Sequence, residues 1–122
     1  MRSKLVPAVL ALGICAAVAL PGAAGARAPA DTTVTIKEEA SGDFYGYVKS
    51  SKPLKCADDR KITLFRVRAG KDERVASDNA SLSGNRYRWS TGNTGLSGRF
   101  YARASRIAGC RADTSPTIRS SQ

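Results

Sequence analysis

The clearest strand signature in the chain is Arg86-Tyr87-Arg88-Trp89-Ser90, in which aromatic residues alternate with arginines. Successive side chains of a β-strand point to opposite faces of the sheet. Tyr87 and Trp89 therefore share one face, and the two arginines share the other. This period of two predicts a half-buried strand whose aromatic face lies in a core and whose cationic face meets solvent.

The same period organises the chain on both sides of this stretch. In 61–68 the apolar positions change phase between Leu64 and Phe65, which predicts a bulge or a twist there. Pro116 lacks a backbone N–H, so the last strand is expected at a sheet edge. Polar and glycine-rich turns separate the strands. Together they predict an all-β fold, a single seven-stranded antiparallel β-sandwich with Greek-key connections, with strands at 32–37, 44–49, 61–68, 74–77, 86–90, 99–104 and 115–119.

Residues 1–28 have the organisation of a secretory signal peptide. Arg2 and Lys4 precede an apolar run over 5–20, and a small-x-small cleavage site ends at Ala28. Cleavage after Ala26 is the alternative, because cleavage after Ala28 would leave a proline at the first mature position. We therefore predict a signal peptide over 1–28, a β-sandwich domain over 29–122 and an extracellular location.

Two alternative interpretations of residues 1–28 are less well supported by the sequence. The apolar run is shorter than the roughly 20 residues of a membrane-spanning helix, which disfavours an uncleaved anchor. A lipid attachment at Cys15 is disfavoured because Ile14 stands where a small residue is expected. After signal cleavage we therefore expect no association with the membrane.

Composition excludes several classes of function. The 122 residues include 20 Lys and Arg, 10 Asp and Glu and no histidine, for a net charge of +10. Removal of 1–28 leaves 17 basic against 10 acidic residues, a net of +7. Without histidine, the chain lacks Ser-His-Asp and Cys-His catalysis and His-ligated zinc. We predict a protein that is not an enzyme and that uses no cofactor and no metal.

The acidic residues do not form a recognisable site. Glu38-Glu39 and Asp58-Asp59 are adjacent pairs whose side chains diverge in strands or loops. The oxygen-bearing residues from Asp78 to Ser83 lack the spacing and the terminal glutamate of a calcium loop. Turn capping is the expected role of these residues.

Cys56 and Cys110 remain after removal of the signal peptide. An even number of cysteines in an exported chain indicates a disulfide, and two cysteines allow one intramolecular pairing. The closed loop would contribute roughly 4 kcal/mol in the chain-entropy account. A reactive thiol pair is the alternative, but the two residues do not form a Cys-x-x-Cys motif.

Four stretches resemble the successive strands of carboxypeptidase regulatory-like domains, which are transthyretin-like sandwiches. The resemblance lies in 44–48, in 61–66, in the hairpin from Ser77 to Trp89 and in 98–104, and it covers about Thr32 to Arg119. The Ala-, Gly- and Arg-rich composition also resembles that of exported actinobacterial proteins. The resemblance implies a non-catalytic accessory, adhesive or structural module and names no ligand. The cysteine pair and the long 78–84 connection depart from the family pattern.

The strongest functional hint is a set of arginines on the polar faces of two consecutive strands, Arg86 and Arg88 on one and Arg99 and Arg103 on the other. If these strands pair, the arginines form a positive stripe that could bind an anionic polysaccharide or cell-envelope polymer. The alternative is a charged face that only keeps the sheet soluble. Nucleic acid is not an expected partner of an exported protein.

A second hypothesis is a secreted inhibitor or effector that binds another extracellular protein. Its contact surface would be the 91–98 loop or the Tyr45 and Tyr47 face. Binding to a polymer through arginines should weaken steeply with salt, whereas binding to a protein through these other surfaces should resist it. An exported protein with no dedicated ligand is the third possibility.

Overall fold

A computed structural model describes residues 28–120 of the chain. They form one short helix and ten strands in two antiparallel sheets, which confirms the all-β class. Sheet one has the order β1-β3-β7-β6, with β2 also pairing with β3; sheet two has the order β10-β8-β4-β5, with β9 also pairing with β8. The elements are β1 (Thr33–Val34), β2 (Lys37–Glu38), β3 (Asp43–Lys49), α1 (Pro53–Cys56), β4 (Lys61–Arg66), β5 (Glu73–Asn79), β6 (Ser81–Ser83), β7 (Arg86–Asn93), β8 (Gly98–Ala104), β9 (Asp113–Thr114) and β10 (Ile118–Ser120).

The two sheets pack face to face over an apolar core. Phe44 of sheet one and Phe100 of sheet two have ring centroids 4.7 Å apart. The core combines these rings and Trp89 with the small side chains of Ala102 and Ala104, all of them buried. Large and small residues from opposite sheets can interdigitate in this way without leaving cavities.

Gly46 makes room for the largest side chain of the core. It pairs with Trp89 across β3 and β7, and the Trp89 indole N–H donates to the carbonyl oxygen of Thr35 at 3.0 Å. A β-carbon at position 46 would overlap that carbonyl oxygen and lie 2.7 Å from Trp89 Nε1. The contact satisfies the only donor of the buried indole, and it requires glycine beneath it.

The register between β4 and β5 shifts between Leu64 and Phe65, which confirms the irregularity predicted from the sequence. Leu64 pairs with Ala76 but Phe65 pairs with Arg74, so Val75 is the extra residue of a bulge in β5. The register between β4 and β8 runs on without a shift. Leu64 therefore faces the core, whereas Phe65 lies on the outer face of sheet two.

The sequence predicts seven strands, and the described residues form ten. The predicted strand at 32–37 divides into β1 and β2. β6 arises in a stretch predicted as a polar run with a turn, and β9 lies where no strand is predicted. β6 is a serine-rich segment with every residue exposed, so it carries no apolar alternation to detect. Helix α1 occupies the predicted loop around Cys56, and its four residues are too few for a helical apolar pattern.

One end of the sandwich is closed by the predicted disulfide and by a buried arginine. Cys56 and Cys110 are bonded, with their Cα atoms 5.5 Å apart, and both are fully buried. The Arg60 guanidinium is only 3% exposed and donates to the carbonyl oxygens of Cys56, Ser105 and Arg111 at 2.7, 2.7 and 2.8 Å. These bonds join helix α1 to the 105–111 loop that carries Cys110.

The long edges of the two sheets are tied together. At one edge, the Asp113 carboxylate accepts from Val34 N–H at 2.7 Å, and Ser120 donates to Glu38 at 2.6 Å. At the other edge, the chain itself crosses from β5 of sheet two to β6 of sheet one through the buried Ala80. Hydrogen bonds at one edge and the chain crossing at the other thus hold the two sheets in a fixed relative position.

The predicted signal peptide lies outside the described residues except for Ala28. None of the helices formed by 28–120 has the length and apolar character needed to cross a membrane.

Gly46→Ala is expected to destabilise the fold by roughly 3 kcal/mol or more, because the new methyl group meets backbone and a buried indole rather than a flexible side chain. Gly92→Ala is the matched control, since nothing lies within 4 Å of a β-carbon at that position. Urea unfolding of both variants followed by Trp89 fluorescence measures the difference. Equal stability of the two variants would contradict the close packing at Gly46.

Loss of the disulfide is expected to lower the free energy of unfolding by about 2–5 kcal/mol, because the bond closes a long loop and both sulfurs lie in the interior. The double variant Cys56→Ala/Cys110→Ala and the reduced wild-type protein should unfold at similar denaturant concentrations. Adding a reductant should shift the wild-type transition and leave that of the variant in place. A wild-type transition that is insensitive to a reductant, with thiols shown to be free, would argue against this contribution.

Candidate functional site

The outer face of sheet one carries two arginines stacked on two tyrosines. The Arg86 guanidinium carbon lies 3.9 Å from the ring centroid of Tyr47, and that of Arg88 lies 4.6 Å from the centroid of Tyr45. The two rings meet edge to face, with centroids 6.2 Å apart. We call this surface the tyrosine–arginine face.

The strand register produces these contacts. Tyr47 pairs with Arg88 and Tyr45 pairs with Ser90, so each arginine reaches the ring diagonally across from it. Lys37 pairs with Tyr45 on the same face, and Lys49 continues the tyrosine side of β3. The tyrosine–arginine face thus presents four cations. Within residues 28–120, the arginines in ion pairs with a carboxylate are Arg66 and Arg68, both with Glu73.

The outer face of sheet two has its own aromatic pair. Phe65 and Tyr101 stack with centroids 5.3 Å apart and planes 16° from parallel. Arg74 lies over the other side of this pair, 5.7 Å from the Phe65 centroid. Arg103 donates to the hydroxyl of Thr114 at 2.8 Å.

The four predicted arginines do not form one stripe. Arg86 and Arg88 lie on β7 in sheet one, whereas Arg99 and Arg103 lie on β8 in sheet two. The expectation that these two strands are neighbours is wrong, because the 94–97 connection crosses between the sheets instead of forming a hairpin. The polar faces of β7 and β8 therefore point away from each other, with the core between them.

Two residues that sequence reasoning did not select belong to the surface of sheet two. Phe65 lies outside the core and Arg74 packs on it. The change of apolar phase at Leu64 and Phe65 was the signal for the first, because a strand that keeps its register to β8 must turn Phe65 outward. Arg74 gave no signal of its own, since its position depends on the bulge at Val75.

Asp72 is hydrogen-bonded to the rim of the sheet-two aromatic pair. The Tyr101 hydroxyl donates to Asp72 at 2.6 Å, and the backbone N–H of Arg68 donates to the same carboxylate at 3.1 Å. These two bonds, in that order, lower the pKa of Asp72 below its ordinary value of 3.8. The bond to Asp72 raises the pKa of Tyr101 above 10.0, and burial adds to that effect.

The oxygen-bearing residues near 78–83 serve the fold. Asp78 accepts from the backbone N–H of Ser90 at 2.7 Å. The Asn79 amide donates to the carbonyl and carboxylate oxygens of Asp59 at 3.2 and 3.0 Å, and Asp59 has a left-handed φ of 58°. Asp59 thus has a side-chain partner in a backbone conformation that residues other than glycine seldom adopt.

The Tyr101–Asp72 bond predicts a stability difference that depends on pH. Tyr101→Phe should destabilise the protein at neutral pH. The lowered pKa of Asp72 makes its contribution disappear as the pH falls below 3.8, and the raised pKa of Tyr101 makes its contribution disappear as the pH rises above 10.0. Urea unfolding of the wild type and the variant at about pH 3, 7 and 11 measures the loss of this contribution at low and at high pH. An effect of Tyr101→Phe that is the same at all three pH values would refute the linkage.

No family model and no curated protein matches the chain. The resemblance to carboxypeptidase regulatory-like domains stays a prediction.

Proposed function

We propose that this protein is a secreted, non-catalytic module that binds anionic polymers through the tyrosine–arginine face. The observation that carries the proposal is the pair of stacked arginines, each over a tyrosine ring on one flat strand surface. Uronate, phosphate and sulfate groups of cell-envelope or matrix polymers are the chemistry that this surface would recognise.

Stacking orients the arginines for this role. A guanidinium that lies over an aromatic ring keeps its N–H edges free to donate to an anion. The tyrosines also limit the side-chain motion that would otherwise be lost on binding. Lys37 and Lys49 extend the positive charge along the strands, so successive acidic groups of an extended chain could each meet a cation.

The shape of the surface favours a polymer over a small molecule. The tyrosine–arginine face is an open strand surface whose side chains project to solvent. Small ligands are usually held in clefts that bury most of their surface. A linear polymer needs only a flat array of contacts, each of them weak.

A second candidate is a partner protein. Tyrosine and arginine are enriched among the residues that dominate protein–protein binding energy, and here they lie side by side at the centre of a sheet. Salt separates the candidates, since contacts through charged groups weaken with ionic strength and apolar contacts do not.

Export and fold family belong to the same proposal. The Cys56–Cys110 disulfide supports an oxidising compartment, in keeping with a cleaved signal peptide over 1–28. The four stretches that resemble carboxypeptidase regulatory-like domains fall on β3, β4, the β5–β7 region and β8. Pairing of β3 with β7 and of β4 with β8, which are distant in the chain, supports Greek-key connections.

Arg86→Gln/Arg88→Gln is expected to weaken binding to immobilised polygalacturonate at least tenfold, because two charge-assisted contacts are lost. The matched control is Arg99→Gln/Arg119→Gln, which removes the same charge from sheet two. Wild-type binding measured by surface plasmon resonance should fall steeply with salt, and the slope should flatten in the first variant only.

Three results would count against the proposal: equal losses in both double variants, equal binding to neutral dextran, or affinity that does not change with salt. The first would indicate attraction by net charge alone. The last, together with capture of a protein partner, would favour the second candidate.

A further inference from the structure

A cleft of about 260 Å³ lies on the outer face of sheet two, on the opposite side of the molecule from the tyrosine–arginine face. Thr63 and Phe65 of β4 contribute to its wall, with Arg74 of β5 on one side and Arg103 of β8 on the other. Lys61 and Arg60 close the end nearest the disulfide. We call it the β4 cleft.

Cations dominate the β4 cleft. Four of its lining residues are basic, and none of those that the structure describes is acidic. The acidic residue nearest in sequence to Arg74 is Glu73, which pairs with Arg66 and Arg68 instead. The positive charge around the cleft is therefore not balanced from within its own wall.

Arg60 adds a buried and uncompensated charge at the end of the cleft. Its side chain is 3% exposed, and its hydrogen bonds go to three backbone carbonyls and to the Thr32 hydroxyl, all neutral acceptors. Its Nε is buried without a partner. Burial lowers the pKa of Arg60, as expected for a cation without a counterion. A buried charge is usually paired, and an anion nearby would supply what the protein does not.

The two arginines at the sides of the cleft are already positioned. Arg103 is held by its bond to Thr114 at 2.8 Å, and Arg74 is held by its contact with the Phe65 ring. Phe65 itself is stacked on Tyr101, and the part of it that stays exposed contributes an apolar portion of the cleft wall beside the cationic groups. Charged donors next to an aromatic ring match a ligand that carries an anionic group on a small ring.

We propose that the β4 cleft is a binding site for a single phosphate or sulfate group, either free or carried as an ester on a sugar. A dianionic group with three or more acceptor oxygens suits a cleft lined by several cations better than one carboxylate would. The volume suits a small ligand and is too small for a folded polymer segment. This inference does not depend on polymer binding, because the two surfaces lie on different sheets.

Isothermal titration calorimetry at constant ionic strength, with chloride as the balancing anion, tests the site. The probes are inorganic phosphate, inorganic sulfate and glucose 6-phosphate, with glucose as the uncharged control. Arg74→Gln/Arg103→Gln should weaken binding of the anions at least tenfold, since both side walls lose their charge. Arg99→Gln/Arg119→Gln, which removes two charges from the same sheet outside the cleft, should bind them as the wild type does.

Amide chemical shifts of the whole chain locate the ligand independently of any variant. Changes on adding phosphate should concentrate at residues 60–65, 74 and 103. Tighter binding of glucose 6-phosphate than of phosphate would identify the ligand as a sugar ester whose ring lies against Phe65. Equal binding of the two would identify it as the free anion. Shifts spread over all basic residues, or anion affinity unchanged in Arg74→Gln/Arg103→Gln, would overturn the site while leaving polymer binding by the other face untouched.

Discussion

The closed end of this sandwich depends on the burial of one guanidinium. Arg60 lies directly before β4, and the carbonyls that it binds belong to α1 and to the 105–111 loop that follows β8. A buried cation needs hydrogen-bond acceptors in place of water. Any movement of these segments that pulled their carbonyl oxygens away from Arg60 would therefore be unfavourable. The disulfide joins the same two segments covalently. The central strands of sheet two, β4 and β8, are thereby held at one end by both kinds of bond.

Local sequence patterns predicted most of what is local in this structure. Alternation in β3, β7 and β8 predicts which side chains enter the core, and the burial of Phe44, Trp89 and Phe100 agrees. The irregularity at Leu64 and Phe65 could be predicted because Phe65 places an apolar side chain on the outer face of β4, next to the core-facing Leu64. The disulfide could be read because two cysteines leave one pairing. Each of these inferences depends only on residues that are close in sequence or on the number of cysteines.

The candidate sites could not be predicted in the same way because they depend on which sheet each strand joins. The residue pattern of a strand predicts that one of its faces is polar. It does not predict which strand lies next to that face. Arg86 and Arg88 meet Tyr45 and Tyr47 because β7 pairs with β3, some forty residues earlier in the chain. Arg103 and Arg74 lie on either side of β4 for a similar reason. The two basic surfaces have related compositions but different shapes, one flat and one concave, and the apolar core keeps them apart.

The bulge at Val75 has a consequence for how this protein meets other copies of itself. β5 is the free edge of sheet two, and a regular free edge offers its unpaired N–H and C=O groups as a template for a strand from another chain. The extra residue interrupts the even spacing of those groups within β5, and the charged Glu73 and Arg74 directly precede it. On the same side of the molecule, β6 offers only three residues. The bulge opposite Phe65 thus also protects the sandwich against edge-to-edge growth into larger sheets.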